Sequence, residues 1–279
     1  MRDMPIHLSP SEQLAYSTVR IECDMPGGMS VGTGFYFRFN EKDGKHVPAI
    51  VTNRHVVQGA TDARFYIHWS HGPDDKPTAS SGFWIHGFEK AWIGHPDSAV
   101  DLCVIPIASS IEASKAEGKQ LFYKWFSPNS LASQIDLDSL SALEEVVMVG
   151  YPTGLWDSVH NMPVFRRGVT ATHPNINYCG EQEFLIDAAC FPGSSGSPVI
   201  LFNMGPYTDR FGKTTVGTRI RLLGVLYAGP QFNAKGAITF ATIPALPQTE
   251  TYIPCNLGIV IKAARLLEFE PLLEKLRNP

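Results

Sequence analysis

Short apolar segments separated by turn residues recur along the whole chain. The segment Val19–Cys23 alternates apolar and polar residues, and a period of two is typical of a strand with one buried face. Similar patterns predict strands over 19–23, 34–39, 48–53, 64–69, 83–86 and 102–107, and then over 145–150, 164–171, 183–188, 198–203, 219–227, 237–242 and 257–261. Residues 203–218 are predicted to extend one hairpin. The pattern therefore indicates an all-β protein.

Two parts of the chain depart from this pattern. Residues 109–144 are more polar and predict helical or irregular structure that connects the two groups of strands. In Ala263–Leu276, apolar residues three and four apart predict an amphipathic helix, kinked or restarted at Pro271. We find no internal repeat and no low-complexity tract.

Composition and charge agree with many short strands. The 24 glycines and 21 prolines suit turns between strands better than a helical protein. The formal net charge of −4 gives no electrostatic reason to expect nucleic acid or an anionic membrane as partner. The short basic clusters Arg166–Arg167 and Arg219–Arg221 are predicted to be solvated strand edges.

The cysteines and histidines give no sign of a metal or a cofactor. The five cysteines are scattered and odd in number, which does not suggest a disulfide framework, and they form no C-x-x-C pair for zinc. His68 and His71 precede a loop sequence, Gly72–Asp75, and are predicted to be surface histidines. The N-terminus lacks the apolar segment of a signal peptide, and no run of about 18 apolar residues is present. A cytoplasmic protein is the expectation, unless an export signal has been trimmed.

A serine lies within a turn of two glycines, Gly193-Ser194-Ser195-Gly196, between two apolar runs. Glycine adopts positive φ without steric cost, so such a turn can aim consecutive backbone N–H groups at one point. Donors arranged in this way stabilise an oxyanion, and we expect Gly193 and Ser195 to supply them. Ser195 is favoured as nucleophile over Ser194 and Ser197 because it is the serine of the Gly-x-Ser-Gly unit.

A base and an orienting acid precede this serine. His55 follows a β-branched run, and Asp101 opens another apolar strand. The order His55, Asp101, Ser195 is that of chymotrypsin-type enzymes. No histidine follows Ser195, so an α/β-hydrolase order is excluded for this nucleophile. Asp97 competes with Asp101, but it lies in a turn sequence, where aspartate serves local hydrogen bonds.

These motifs resemble those of the trypsin-like serine peptidases, and most closely the bacterial HtrA/Deg protease domain. The matching segments are Gly32–Phe35, Val51–Val57, Asp101–Ile105, Val149–Leu155, Ile186–Ala189, Pro192–Pro198 and Asn256–Ile261. They occur in the family's order over nearly the whole chain. Two differences are that Ser197 replaces a glycine that usually follows the Gly-x-Ser-Gly unit, and that the chain has no room for a PDZ domain after the protease domain.

The resemblance implies two antiparallel six-stranded β-barrels with the catalytic residues between them and a C-terminal helix. We expect the first barrel over 1–108, a connection over 109–144, and the second barrel with the helix over 145–279. The resemblance also implies that Ala189 forms the base of the primary specificity pocket, and that the strand containing Tyr227, Ala228 and Gly229 forms its wall and pairs with substrate.

The expected activity is hydrolysis of proteins or peptides after small or medium apolar residues, because Ala189 offers no carboxylate for Lys or Arg. Two alternatives stay open. A catalytically silent scaffold would bind extended peptides in the same cleft. An esterase on this fold would turn over esters without cleaving peptides.

Overall fold

The computed structural model describes residues 8–70, 72, 77–152, 155–229, 231–237 and 248–277. The first group of strands is β1 (Thr18–Met25), β2 (Gly28–Lys42), β3 (Lys45–Thr52), β4 (Asp62–Ser70), β5 (Ala79–His86), β6 (Ile93–Gly94), β7 (Cys103–Pro106) and β8 (Gln120–Phe122). They form one antiparallel sheet in the order β5-β4-β1-β2-β3-β7-β6, with β8 paired to β4. This sheet has eight strands where six were predicted, because β6 and β8 are too short to show a periodic pattern.

The second group is β9 (Glu145–Gly150), β10 (Val164–Thr170), β11 (Glu183–Asp187), β12 (Pro198–Thr208), β13 (Thr214–Ala228), β14 (Gln231–Ala237), β15 (Gln248–Pro254) and β16 (Leu257–Lys262). Six of them close a barrel in the order β10-β11-β16-β13-β12-β9, and β14 and β15 pair as a separate hairpin. The predicted extension over 203–218 is confirmed as the outer part of the β12–β13 hairpin. Apart from residue 237, the strand predicted over 237–242 lies outside the described residues.

Five α-helices complete the described part of the chain: α1 (Pro10–Ala15), α2 (Arg54–Val57), α3 (Ala108–Ala116), α4 (Gln134–Ser139) and α5 (Glu270–Arg277). The connection between the sheets holds α3, β8 and α4. The predicted C-terminal helix is a 3₁₀ segment, Ala263–Phe269, followed by α5. Pro271 lies in the first turn of α5. Backbone N–H groups in the first turn have no acceptor within the helix, so a proline there removes no helical hydrogen bond. The helix therefore restarts there, as predicted.

A central apolar cluster joins the two sheets. Alternation along β2 turns Phe35, Phe37 and Phe39 toward this cluster, all fully buried. The second barrel contributes residues such as Ile200 to the same cluster, and the 3₁₀ segment and α5 contribute further residues, among them Phe269. Each sheet also has a cluster of its own on its other face. The fold thus packs the two sheets against each other and against the C-terminal helical segment.

The expected all-β class, the two antiparallel sheets and the C-terminal helix are confirmed. The boundaries assigned to the two barrels and their connection stay a prediction. Among the helices of the described residues, none has the length and apolar character needed to cross a bilayer.

Candidate active site

The turn that carries Ser195 depends on two glycines. Gly193 and Gly196 have φ of 84° and 85°, a region that other L-residues rarely adopt. At Gly196 a Cβ would lie 1.9 Å from the carbonyl oxygen of Thr33. Glycine is therefore required at position 196 both by backbone conformation and by contact with the first sheet.

Thr33 on β2 connects the first sheet to this turn. Its backbone amide donates to the carbonyl of Ser195 at 2.9 Å, and its hydroxyl donates to the carbonyl of Gly193 at 3.0 Å. The same hydroxyl accepts from the amide of Tyr151 at 2.9 Å, and the Thr33 carbonyl accepts from the hydroxyl of Thr52 at 2.8 Å. The turn that carries Ser195 is thus held by hydrogen bonds from the first sheet as well as from its own barrel.

The amide groups of the turn fall into two sets. The amides of Ser194 and Gly196 donate to the carbonyls of Phe191 and Leu226, at 3.0 and 2.8 Å. Among the described residues, the amides of Gly193 and Ser195 donate to no protein acceptor. These are the two donors that the sequence predicted for an oxyanion, and both are available for one.

His55 and Asp101 meet at one end of the first sheet. His55 lies in α2, which follows β3 directly, and Asp101 lies just before β7, the neighbour of β3. His55 Nδ1 is 2.5 Å from Asp101 Oδ2, and the His55 amide donates to Oδ1 at 3.0 Å. Buried Asn53 donates to the Asp101 carbonyl at 2.8 Å. The carboxylate thus holds both the ring and the backbone of His55.

Asp97, the competing acid, has other partners. Its carboxylate accepts from Arg265 at 2.8 Å and from the amide of Ala99 at 2.9 Å. These hydrogen bonds lower the pKa of Asp97; the bond from the Ala99 amide has the larger effect, and the bond from Arg265 follows. Asp97 therefore stabilises the turn between β6 and β7 and links this turn to the C-terminal 3₁₀ segment.

The Ser195 hydroxyl contacts the neighbouring strand β13. Its Oγ lies 3.5 Å from the carbonyl oxygen of Tyr227, at the outer limit of a hydrogen bond. In the described part of the chain, no hydrogen bond joins Ser195 to His55. The structure therefore brings the predicted acid and base together, while the serine hydroxyl faces the neighbouring strand.

A pocket of about 130 Å³ opens beside Ser195. It is lined by Cys190, Phe191, Pro192, Ser194, Ser195, Leu226, Tyr227, Ala228 and Gly229. Tyr227, Ala228 and Gly229 thus lie where the sequence analysis expected a pocket wall. Ala189 is not among the lining residues, and its carbonyl oxygen accepts from Arg166 at 2.5 Å.

Two ionisable groups on the pocket are neutral near pH 7. Burial raises the pKa of Cys190 to about 11, although nearby Arg166 opposes the shift. Burial also raises the pKa of Tyr227, and its hydrogen bond to Glu183 adds to this effect. A neutral thiol is a poor nucleophile, so Cys190 does not compete with Ser195.

Ser197, which departs from the resembling family, is accommodated by Gly150. The Ser197 side chain is fully buried, and its hydroxyl has no hydrogen-bond partner among the described residues. A Cβ at position 150 would lie 2.2 Å from that hydroxyl oxygen. Because Gly150 has no side chain, the Ser197 hydroxyl fits beside it without a steric clash.

Two predictions about charged and polar residues were wrong. Arg219 is not a solvated edge: it is buried on β13 and pairs with buried Glu144 at 2.7 Å. Arg166 is half-buried and donates to the loop before Ser195. His68 is buried rather than at the surface: it lies on the face of β4 opposite Phe65 and Ile67, where the ring of Tyr16 packs edge-on against it and its Nε2 is 3.0 Å from the carbonyl oxygen of His160. His71 lies outside the described residues.

Sequence reasoning missed Thr33, Asn53 and Arg166 as parts of the site. Thr33 and Asn53 lie inside motifs that carried the resemblance, next to glycines and to His55, so their positions were a usable signal. Arg166 lies 29 positions before Ser195 in a strand with no distinguishing pattern. Its role depends on a tertiary contact that periodicity does not encode.

Comparisons with known proteins bear on the family and the fold of this chain. A family model described as a trypsin-like peptidase domain matches residues 32–205. Similar solved structures include a serine endoprotease from Yersinia pestis, with 15% identity, 98% of this chain and 70% of that chain covered, and a TM-score of 0.50. Another is a catalytically inactive tobacco etch virus protease in complex with substrate, with 10% identity, coverage of 97% and 89%, and a TM-score of 0.50. At these identities the two structures show a shared fold. No curated protein matches the chain.

Proposed function

Because the chain belongs to the trypsin-like peptidase family and is a serine-type endopeptidase, we propose that His55, Asp101 and Ser195 carry out its reaction. The region matched by the family model contains all three residues. In this proposal Ser195 is the nucleophile, His55 the general base and acid, and Asp101 the group that orients His55.

The steps follow from the chemistry of these groups. Ser195 Oγ attacks the carbonyl carbon of the scissile peptide while His55 Nε2 takes the hydroxyl proton. The carbonyl oxygen becomes an oxyanion and accepts hydrogen bonds from the amides of Gly193 and Ser195. His55 then gives the proton to the leaving amine, the C–N bond breaks, and an acyl-enzyme forms on Ser195. Water, deprotonated by His55, attacks the acyl carbon and releases Ser195.

The observation that carries this proposal is the contact between His55 Nδ1 and Asp101 Oδ2 at 2.5 Å. It supports a tautomer with the proton on Nδ1, which leaves Nε2 free to accept the proton of Ser195. The His55 side chain is 48% exposed, so Nε2 is open to the cleft. Catalytic hydrogen bonds are often long or poorly aligned before substrate binds, so the lack of a Ser195–His55 hydrogen bond among the described residues is compatible with catalysis.

We propose cleavage after small or medium apolar residues. The pocket of about 130 Å³ supports a side chain of limited size, and among the described residues no carboxylate lines it to select Lys or Arg. The substrate backbone would pair with the strand end at Tyr227–Gly229, which gives affinity with little demand on sequence. A peptide-library profile dominated by Arg or Lys before the cleaved bond would refute this preference.

Labelling with a fluorophosphonate tests the nucleophile directly. Wild type, Ser195→Ala and the control Ser197→Ala are treated with the probe, and the modified peptide is mapped by mass spectrometry. We expect labelling of wild type and Ser197→Ala at Ser195, and none of Ser195→Ala. Labelling that persists in Ser195→Ala would contradict the assignment.

A second candidate function is a peptide-binding scaffold without catalysis. The observation in its favour is that Ser195 Oγ lies 3.5 Å from the Tyr227 carbonyl oxygen, while among the described residues it forms no hydrogen bond with His55. In that case folded wild type would bind peptides in the cleft but resist the fluorophosphonate. An esterase would be labelled at Ser195 and hydrolyse esters without cleaving peptides.

A further inference from the structure

The side chain of Arg166 forms hydrogen bonds with the loop that precedes Ser195. It lies on β10, and its guanidinium donates at 2.5 Å to the carbonyl oxygen of Ala189 and at 2.8 Å to the hydroxyl oxygen of Ser194. These two acceptors lie at the two ends of the segment 189–194, which contains Gly193. One side chain therefore connects the start and the end of the segment that carries an oxyanion donor.

Ser194 passes this constraint on to the turn itself. Its side chain is almost completely buried, and its Oγ also accepts from the amide of Phe191 at 3.3 Å. The amide of Ser194 in turn donates to the carbonyl of Phe191 at 3.0 Å. Arg166 thus binds a hydroxyl that already closes the turn over Pro192 and Gly193.

The guanidinium of Arg166 is bound by neutral acceptors, a backbone carbonyl and a hydroxyl. Among the described residues, no carboxylate forms an ion pair with it, and its Nε is buried without a hydrogen-bond acceptor. Burial lowers the pKa of this guanidinium. Arg20 and Arg219, which are buried more completely than Arg166, pair with Glu22 and Glu144.

An unpaired buried charge is costly, whereas an apolar side chain would fill the same space at less cost. A fold that needed only packing here would not require a guanidinium. Two hydrogen bonds from one planar group fix the distance between their acceptors, which an apolar side chain cannot do. The two hydrogen bonds of Arg166 therefore fix the position of the turn over Pro192 and Gly193.

We propose that Arg166 is a positioning residue that holds the 189–194 segment so that the amides of Gly193 and Ser195 point to one site. The inference rests on the function proposed above, in which those amides bind the oxyanion. The oxyanion exists only in the transition state and the intermediate, so a misplaced donor lowers kcat and leaves substrate binding nearly unchanged.

Three variants test this role. Arg166→Met keeps most of the side-chain volume and removes both hydrogen bonds, while Arg166→Lys keeps a charge that can reach one acceptor at a time. Arg167→Met is the matched control, because Arg167 is the next residue, is exposed, and pairs with Glu145 on the surface. Ser194→Ala removes the hydroxyl that accepts from Arg166, and it replaces Arg166→Met as the test variant if Arg166→Met does not fold.

The first readout is kinetic, with a chromogenic ester or peptide and with thermal unfolding as the check of folding. We expect kcat of Arg166→Met to fall by about 10- to 100-fold, the scale of a small misplacement of a catalytic group. KM should change by no more than about threefold, since ground-state binding is untouched. Arg166→Lys should recover part of kcat, and Arg167→Met should equal wild type. A folded Arg166→Met with wild-type kcat would overturn the proposal.

The second readout does not need catalysis. Hydrogen exchange of the peptide covering 188–198 should be faster in Arg166→Met than in wild type and Arg167→Met. Unchanged exchange would overturn the positioning role even if the protein has no activity. Faster exchange in a protein whose Ser195 resists the fluorophosphonate would mean that the proposed function has failed while the structural role of Arg166 stands.

Discussion

The hydroxyl group of Thr33 forms hydrogen bonds with two parts of the candidate site. It donates to the carbonyl of Gly193 and accepts from the amide of Tyr151, and the side chain is fully buried. Thr33→Val replaces the hydroxyl with a methyl group of nearly the same volume. The carbonyl and the amide would then both be buried without a partner.

The expected loss of stability can be estimated from these two groups. Leaving one buried polar group unsatisfied costs about 1–3 kcal/mol, so two cost about 2–6 kcal/mol. Thr33→Ser is the matched control, because it keeps the hydroxyl and removes only a methyl group. Its cost should be about 1 kcal/mol, the value for one buried carbon.

Urea unfolding of the two variants measures the difference. We expect the free energy of unfolding of Thr33→Val to lie below that of Thr33→Ser by at least about 1 kcal/mol at unchanged m-value. We also expect a lower kcat for Thr33→Val, since the carbonyl of Gly193 is released. The reasoning is refuted if Thr33→Val is as stable as Thr33→Ser, because the two hydrogen bonds would then contribute nothing.

Three further predictions concern single side chains. Asp101→Asn should lower kcat by about 10⁴-fold, as expected when the histidine takes the wrong tautomer, whereas Asp97→Asn should lower it by less than about threefold; equal losses in steady-state kinetics would contradict the assignment. Ser197→Ala removes a buried hydroxyl without a partner, so urea unfolding should show equal or greater stability, by up to about 1 kcal/mol, and a clear loss would reveal a hidden partner. Burial raises the pKa of Glu22, but hydrogen bonds from two arginines outweigh it and lower the pKa below 4.5. The carboxylate therefore stabilises the fold above that pH and loses this effect as pH falls through the folded-state value; Glu22→Gln should cost more stability at pH 7 than at pH 3, and equal costs would exclude this linkage.

Local pattern was sufficient for most of the strands and for the order of His55, Asp101 and Ser195. The β-branched run before His55 and the apolar run after Asp101 predict two strands, and their pairing as β3 and β7 brings the two side chains together. Asp101 was distinguishable from Asp97 because the latter lies in a turn sequence. The pocket wall at Tyr227–Gly229 was accessible only through the resemblance.

Tertiary contacts account for what the sequence did not reveal. Arg166 and Arg167 are adjacent and chemically identical, yet one is directed to the nucleophile loop and the other to the surface. Strand alternation predicts opposite directions but not which of the two faces the loop. His68 was misjudged because alternation along β4 places it opposite the core residues Phe65 and Ile67, and its burial depends on Tyr16 and His160, which are distant in sequence. Arg219 was misjudged because its partner Glu144 lies 75 positions away.

The apolar cluster shared by the two sheets also bears on the order of events during synthesis. The ring of Phe39, made early, packs against that of Phe269, with 6.1 Å between centroids. Ribosomes make a chain from its N-terminus at about 5–20 residues per second, so roughly 10–50 seconds separate the two aromatic rings. Throughout that interval the face of β2 that carries Phe35, Phe37 and Phe39 lacks its final cover. A nascent chain thus has His55 and Asp101 long before it has the segment that completes the apolar cluster shared by the two sheets.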